Sequence, residues 1–274
     1  MTAAILVTGG RGKTGRRVAA GLRARGLAAR VASRSADAAG EVRFDWSDGD
    51  TFAAALVDVA AVYLVAPIGA AAPLAAMEPF LLRAIDAGVR RFVLLSASSL
   101  ALDGPLMGRV HGWLQRHAPE WAVLRPTWFM QNFSEAQHAP TIEREGAIYS
   151  ATGRGRVGFI DVEDIAEVAV AALTAPTSFD RDMILTGPEL LTYDDVAALI
   201  TAASGRQVRH VALSERALAE RLASAGMPAD YAAMLAAMDT AIAGGAEARL
   251  SPWVQQVLGR PPRSFAEFAA VFAP

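Results

Sequence analysis

The sequence predicts an α/β protein in which a doubly wound parallel sheet carries helices on both faces and a smaller, mostly helical lobe follows towards the C-terminus. Three observations predict it. Apolar runs of strand length alternate with amphipathic segments of helical period up to Pro126, the pattern of a parallel sheet joined by right-handed crossovers. A glycine-rich turn, Val7-Thr8-Gly9-Gly10-Arg11-Gly12-Lys13-Thr14-Gly15, links the first run to the first amphipathic segment. From Thr192 onward the segments are mostly helical.

Ala3 to Thr8 is the first apolar run, and Lys13 to Arg25 places Val18, Leu22 and alanines on one helical face. Ala28 to Ser33 reads as a second strand, Glu41 to Asp45 as a third and Thr51 to Leu56 as a brief helix. Ala61 to Ala66, AVYLVA, is continuously apolar, as a strand buried on both faces is; Tyr63 within it is expected in the core with its hydroxyl bonded. Pro73 to Ala87 repeats apolar residues at helical spacing. RFVLLS, Arg91 to Ser96, is a strand, Gly108 to His117 a helix, and WAVLR, Trp121 to Arg125, a strand closed by Pro126. An irregular aromatic stretch, TWFMQNF, and a glycine-rich one, SATGRGRVGF, interrupt the rhythm before a helix over Asp161 to Leu173 and a short strand over Met183 to Leu185. Asp161 and Asp164 suit the start of that helix. The expected organisation is a dinucleotide-binding domain over 1–135, with 157–174 packing back on it, and a substrate lobe over 136–274.

With 274 residues, 53% of them apolar, the chain fills a substantial core. No run approaches the ~20 residues that span a bilayer, and the opening lacks the pattern of a signal peptide; no membrane partner and a cytoplasmic location are expected. There is no cysteine, so thiol chemistry is absent, and His111, His117, His138 and His210 have no metal-ligand spacing, so no metal is expected. A net charge of -2 gives no footprint for nucleic acid. The chain contains 26 Lys and Arg together, of which Lys13 alone is lysine.

The Gly-Lys-Thr triplet of the opening turn suggests a phosphate loop of the Walker type, but the glycine that begins such a loop is replaced by Val7. Gly9, Gly12 and Gly15 instead give G-x-x-G-x-x-G between strand and helix, the Rossmann-like spacing variant of extended and atypical short-chain dehydrogenases. It implies a pyrophosphate held over the helix N-terminus by backbone amides, flanked by Thr8 and Thr14. At the end of the second strand, where an acid would bind the 2′-hydroxyl of NAD, stand Ser33, Arg34 and Ser35. Arg34 can fork onto a 2′-phosphate, with Arg11 and Lys13 adding charge from the turn. NADPH is therefore the preferred cofactor; NAD, with Arg34 a solvated loop residue, is the alternative. Asp45 and Trp46 follow the third strand where an adenine edge is met, unless Asp45 simply faces the dipole of the following helix.

Ligands of such sheets sit beyond the carboxyl ends of the strands. Val65, Ala66 and Pro67, then Ser96, Ala97 and Ser98, then Pro126 and Thr127, are the candidate walls around a nicotinamide. The Tyr-x-x-x-Lys pair of a typical short-chain dehydrogenase has no counterpart: by distance after the Ser96 strand, Met107 takes the tyrosine place and His111 the lysine place. Ser98 and His111 are the candidate proton-handling residues; a strand-end cap and a packed histidine are their plainer readings. Trp128, Phe129, Asn132 and Phe133 are the candidate substrate contacts, and Met227, Met234, Met238 and Leu235 suit a roof over a bulky apolar ligand.

The segments VTGGRGKTG, VASRS, RFDW, VYLVAP, FVLLSASS, MGRVHGWL, VLRPTWFMQNFSE, IYSATGRGRVGFIDVEDIA and ILTGPELLTYDDVA resemble the NmrA-like, atypical short-chain dehydrogenase/reductase family. The likeness is greatest to a bacterial branch that resembles ergot-alkaloid reductases of the festuclavine dehydrogenase kind. It implies an NAD(P)H-dependent oxidoreductase of secondary metabolism acting on a conjugated or aromatic small molecule such as a quinone, an imine or a polyketide intermediate. The missing Tyr-Lys pair agrees: a simple ketone needs a positioned proton donor worth about 10²- to 10⁴-fold, whereas an iminium needs none and a quinone can be protonated by water. A polyketide-tailoring monooxygenase and a non-catalytic NAD(P) sensor remain the alternatives, and a monomer or a homodimer is expected.

Overall fold

In the computed structural model, which describes residues 3–274, the buried run Ala4–Val7 forms β1. Lys13–Ala24 follows as α1, buried along Val18, Ala19 and Leu22 and ended at Gly26, whose φ of 72° no L side chain adopts readily. Next come β2 (Ala29–Ser33), β3 (Glu41–Arg43), α2 (Asp50–Leu56), β4 (Val59–Leu64), α3 (Pro73–Asp86), β5 (Arg91–Leu95), α4 (Met107–His117) and β6 (Glu120–Pro126). Beyond these lie α5 (Ala139–Glu145), β7 (Ala147–Ser150), α6 (Val162–Thr174), β8 (Arg181–Leu185), α7 (Tyr193–Ser204), β9 (Arg209–Ala212), α8 (Glu215–Ser224), α9 (Ala229–Ala243), α10 (Trp253–Leu258) and α11 (Phe265–Ala269).

The chain divides into two units. The first runs to Pro126 and includes Val162–Leu185 and Trp253–Arg260; the second comprises Thr127–Asp161, Thr186–Pro252 and Pro261–Pro274. The division thus falls at Pro126 rather than at 135, and α10 belongs to the first unit, where it packs on α6 and β8.

The first unit is a seven-stranded sheet in the order β3-β2-β1-β4-β5-β6-β8, with every pairing parallel. It is Rossmann-like. The order reverses beside β1, where Val7 pairs with Val31 on one side and Tyr63 on the other, so the glycine turn emerges at the switch point of the sheet. Strand residues alternate between faces: Leu6, Val62, Leu64, Phe92, Leu94 and Val123 join α2, α3 and α4 in one core, while α6 packs on α1 and across β4, β5 and β6. Phe44, Trp46, Phe52 and Phe80 pack edge-on and stacked at one end of the first core; burying Phe80 alone contributes about 1.5–3 kcal/mol.

The second unit is mostly helical and has its own core of Phe133, Phe159, Tyr193 and Phe265. Its α7 begins at a capping box of Thr192 and Asp195, and α11 at another of Ser264 and Glu267. The sequence reading missed a parallel pair within this unit, β7 with β9, aligned from Ala147↔Arg209 to Ser150↔Ala212.

Candidate active site

The first unit builds a cradle at the carboxyl edge of its sheet. Gly9 has a φ of 60° and Gly12 is the extended N-cap of α1. A Cβ on Gly15 would overlap the Gly9 carbonyl oxygen and the Gly10 backbone, so the third glycine lets the helix abut the turn. Gly10 is equally constrained: its Cβ would run into the Val31 side chain. The glycine spacing did not single it out. Gly12 gives no side-chain cap and the first turn holds no acid, so the positive end of α1 has no negative side chain in its opening turn.

Thr8 locks the cradle to β4, its Oγ1 donating to Tyr63 O and accepting from Val65 N at 2.7 Å. Its hydroxyl is thereby a structural tie. Thr14 and Gly15 are buried under the turn, and Lys13 begins α1 with its carbonyl accepting from Arg17. Tyr63 is fully buried and burial pushes its hydroxyl far up; Thr14 lies beside it without a hydrogen bond of normal geometry, so the expected bonded hydroxyl is not found.

The charges expected to greet an adenosine phosphate divide into two. Arg11 forks onto Glu41 at 3.0 and 2.6 Å, reaches Asp37 at 3.2 Å and donates to Ser35 Oγ. Beside Arg11, Glu41 is held down at about 2, and Arg11 is raised in turn. Arg34, exposed just past Ser33 and β2, has no hydrogen bond to any described residue. Asp45 closes a local turn, accepting from the Ser47 amide and hydroxyl, which lower it. Trp46 packs on Phe44 and Phe80.

Farther along the same edge lie the half-buried Val65, Ala66 and Pro67 after β4, and Ser96, Ala97 and Ser98 after β5. Ser98 is buried and its amide donates to Pro126 O at 2.9 Å. Arg125 braces the segment, donating to Ser98 O and pairing with Asp182 at 2.6 Å. Ser96 Oγ is buried with no hydrogen-bond partner among the described residues. So is Nδ1 of His111, which lies on α4 one turn after Met107, with 2% of the residue exposed and its ring tilted against Trp121. Burial holds the imidazole below its usual pKa, and it is neutral.

The second unit has a cavity of about 400 Å³. Trp128, Leu218, Leu222 and Leu235 give it apolar walls, and Asp239 stands among the lining residues. Arg221 pairs with Glu145 and lies over the Tyr149 ring, whose hydroxyl also donates to Glu145, so this polar group is internally satisfied. Of the expected substrate contacts, Trp128 lines the cavity and Phe129 is half-buried in a bridge to Ile160. Phe133 corrects the reading: it is fully buried against His138, Phe159, Tyr193 and Phe265, a core residue rather than a pocket wall. Asn132 accepts the His138 amide on its carbonyl in the turn that follows, and the Thr127 hydroxyl is tied to Gly158 O at 2.5 Å. Met227, Met234 and Met238 are not lining residues, whereas Leu235 is.

A chain of Asp194, His210 and Ser150, linked at 3.3 and 2.8 Å, has the look of a nucleophile triad. Ser150 is fully buried and its hydroxyl also bonds Thr152, so it braces the β7–β9 pair.

The NmrA-like family profile matches residues 118–268, and an NAD(P)H-binding profile matches 9–176. YesF of Bacillus subtilis, an uncharacterised oxidoreductase, is 45% identical over 272 residues, 98% of this chain and 95% of its own. Agroclavine dehydrogenase of Claviceps fusiformis is 45% identical over 282 residues, 97% of this chain and 96% of its own. The chain belongs to the NmrA-like family. It is an NAD(P)H-binding oxidoreductase of the atypical short-chain dehydrogenase type. Its fold is that of the NADPH-dependent quinone oxidoreductase of Escherichia coli, solved with NADPH, with a TM-score of 0.84 at 23% identity over 97% of this chain and 99% of that one. The NmrA-like cradle fits a dinucleotide on its own geometry: three glycine positions that a Cβ would crowd, a helix N-terminus with neither cap nor acid, and the orphaned Ser96 hydroxyl at the same edge. No described helix is long and apolar enough to cross a membrane, and no metal-ligating cluster occurs among the described residues.

Proposed function

We propose that this NmrA-like enzyme uses NADPH to reduce a flat, conjugated acceptor of the quinone or iminium kind. The observation that carries the reading is the pair at the Tyr-Lys place. Met107 has no proton to give, and His111 is a buried, neutral imidazole rather than a cation able to lower a neighbouring phenol. Reduction of a simple ketone needs a donor for the alkoxide that develops. A conjugated acceptor does not.

When bound, the reduced nicotinamide supplies a hydride, two electrons with one hydrogen nucleus. An iminium carbon accepts it and closes to a neutral amine with no further proton; a quinone takes its proton from water, its oxyanion being delocalised meanwhile. The chain's own contribution is positioning. Amides of the turn at Gly9 to Gly15 hold the diphosphate, Arg34 meets the 2′-phosphate, and the Ser96–Ser98 segment, braced by Arg125, borders the nicotinamide. Trp128, which lines the second unit's cavity, is the ring available to stack on the acceptor. The name of the quinone oxidoreductase agrees with an acceptor of this class.

The test mixes the protein with NADPH and a panel of quinones, cyclic iminium salts and simple ketones while following the absorbance of the reduced nicotinamide. Turnover confined to the conjugated members is expected. Equal or faster reduction of ketones, or binding of NADPH without turnover on any acceptor, overturns the proposal, the latter in favour of a sensor.

A further inference from the structure

We propose that Asp239 selects the ligand of the second unit's cavity, and that this ligand carries a protonated nitrogen on a flat apolar frame. The inference deepens the reading above and rests on the cavity being the acceptor's site.

The helix α9 buries Ala232, Ala236, Asp239 and Ile242, one stripe at helical spacing. An acid therefore occupies a place where the period calls for an apolar side chain, the kind of local inconsistency that marks function. Only 6% of Asp239 is exposed. The Ala151 amide donates to its Oδ2 at 2.9 Å, while Oδ1 has no partner among the described residues and no arginine, lysine or histidine pairs with it. Burial consequently pushes the carboxyl up to about 6, opposed only by the Ala151 bond.

Bonding the Ala151 amide needs a carbonyl oxygen and nothing more, so asparagine would serve the fold as well. The charge itself has no structural use and is costly to bury. Of the arginines lining the cavity, Arg221 is committed to Glu145, and exposed Arg144 leaves Asp239 without electrostatic relief. A ligand N–H⁺ seated among Trp128, Leu218, Leu222 and Leu235 would give Oδ1 its donor and neutralise the acid in one contact.

Calorimetry with a matched pair of probes, 1-naphthylmethylamine as the cation and 1-naphthylmethanol as its neutral counterpart, tests this above pH ~7, where an acid of this kind is ionised. The wild type is expected to bind the amine about tenfold more tightly. Asp239→Asn is expected to bind both alike, with the alcohol unchanged and the melting temperature not lowered. Equal affinities in the wild type, a preference that survives in Asp239→Asn, or failure of both probes to bind overturns the proposal. Were Asp239→Asn not to fold, the wild-type comparison alone decides. Because no nicotinamide is present, absence of turnover in the acceptor panel would defeat the reductase reading and leave this preference standing.

Discussion

The cradle of the first unit and the cavity of the second solve opposite electrostatic problems. The cradle is a concavity of backbone in which every glycine is explained by what a Cβ would strike, and the helix that starts there has neither a side-chain cap nor an acid in its first turn. It is shaped for an anion. The cavity is walled by side chains from α5, α8 and α9, and its unmet group is an acceptor, Oδ1 of a buried acid. One region is shaped by backbone that a Cβ would strike; the other is lined by side chains, one of them a buried acid.

The comparison breaks most visibly at Gly15. A valine there meets the backbone of Gly9 and Gly10, which cannot move aside as a flexible side chain would. Overpacking of this sort costs about 3 kcal/mol while the turn keeps its shape; a turn displaced to relieve that strain must be restored on binding, at roughly a hundredfold in NADPH affinity. Calorimetry is expected to show that loss for NADPH and NADH equally while naphthyl probes bind the second unit as before. Undiminished nucleotide binding by Gly15→Val would mean that the turn is not the diphosphate site.

Asp239 sharpens the other half. Its folded pKa is raised, so between the ordinary carboxyl value and about 6 the folded protein holds a proton that the unfolded chain has released. Stability contributed by that proton is present at low pH and is lost as pH rises through this window; below it both states are protonated, and above about 6 the cost is constant. The cost reaches roughly 3 kcal/mol. His138, Glu145, Arg144 and Arg221 line the same cavity, and burial, joined by the charge of the acid, raises the Tyr193 hydroxyl. Urea unfolding of the wild type and Asp239→Asn is expected to give equal stabilities near the ordinary carboxyl pKa and a more stable variant above pH ~6. A variant that is less stable at high pH would make Asp239 a structural residue.

What the sequence disclosed differs between the two regions for the same reason. Gly9, Gly12, Gly15 and the strand ends at Val65, Ser96 and Pro126 were legible because local spacing determines a strand–turn–helix and the order of strands determines the edge. Gly10 was missed because its constraint is Val31, on the neighbouring strand. In the second region the partners are distant: Ala147 pairs with Arg209, and Phe133 is enclosed by Phe159, Tyr193 and Phe265. A phenylalanine just past a strand end looks the same whether it faces a ligand or a core. Asp239 did leave a signal, an acid on the apolar stripe of AAMLAAMDTAIA, but the methionines beside it drew the reading instead.

The smallest expected effect separates two arginines that the sequence treated alike. Arg11 is bound bidentate by Glu41 and touched by Asp37, so its charge is largely answered within the protein. Arg34 is exposed, bonded to none of the described residues, and adjoins Ser33 at the end of β2, where a 2′-phosphate would lie. Arg34→Ala is therefore expected to weaken NADPH about tenfold, the loss of one charge-assisted fork, and to leave NADH unchanged. Arg11→Ala, by releasing Glu41 and the segment it caps at Asp37 and Ala38, should weaken both nucleotides to the same, smaller degree. Titrating each variant with each nucleotide gives four affinities relative to the wild type. A selective loss in Arg11→Ala with none in Arg34→Ala would reverse the assignment, because the phosphate would then have to displace Glu41 from its arginine before it could bind.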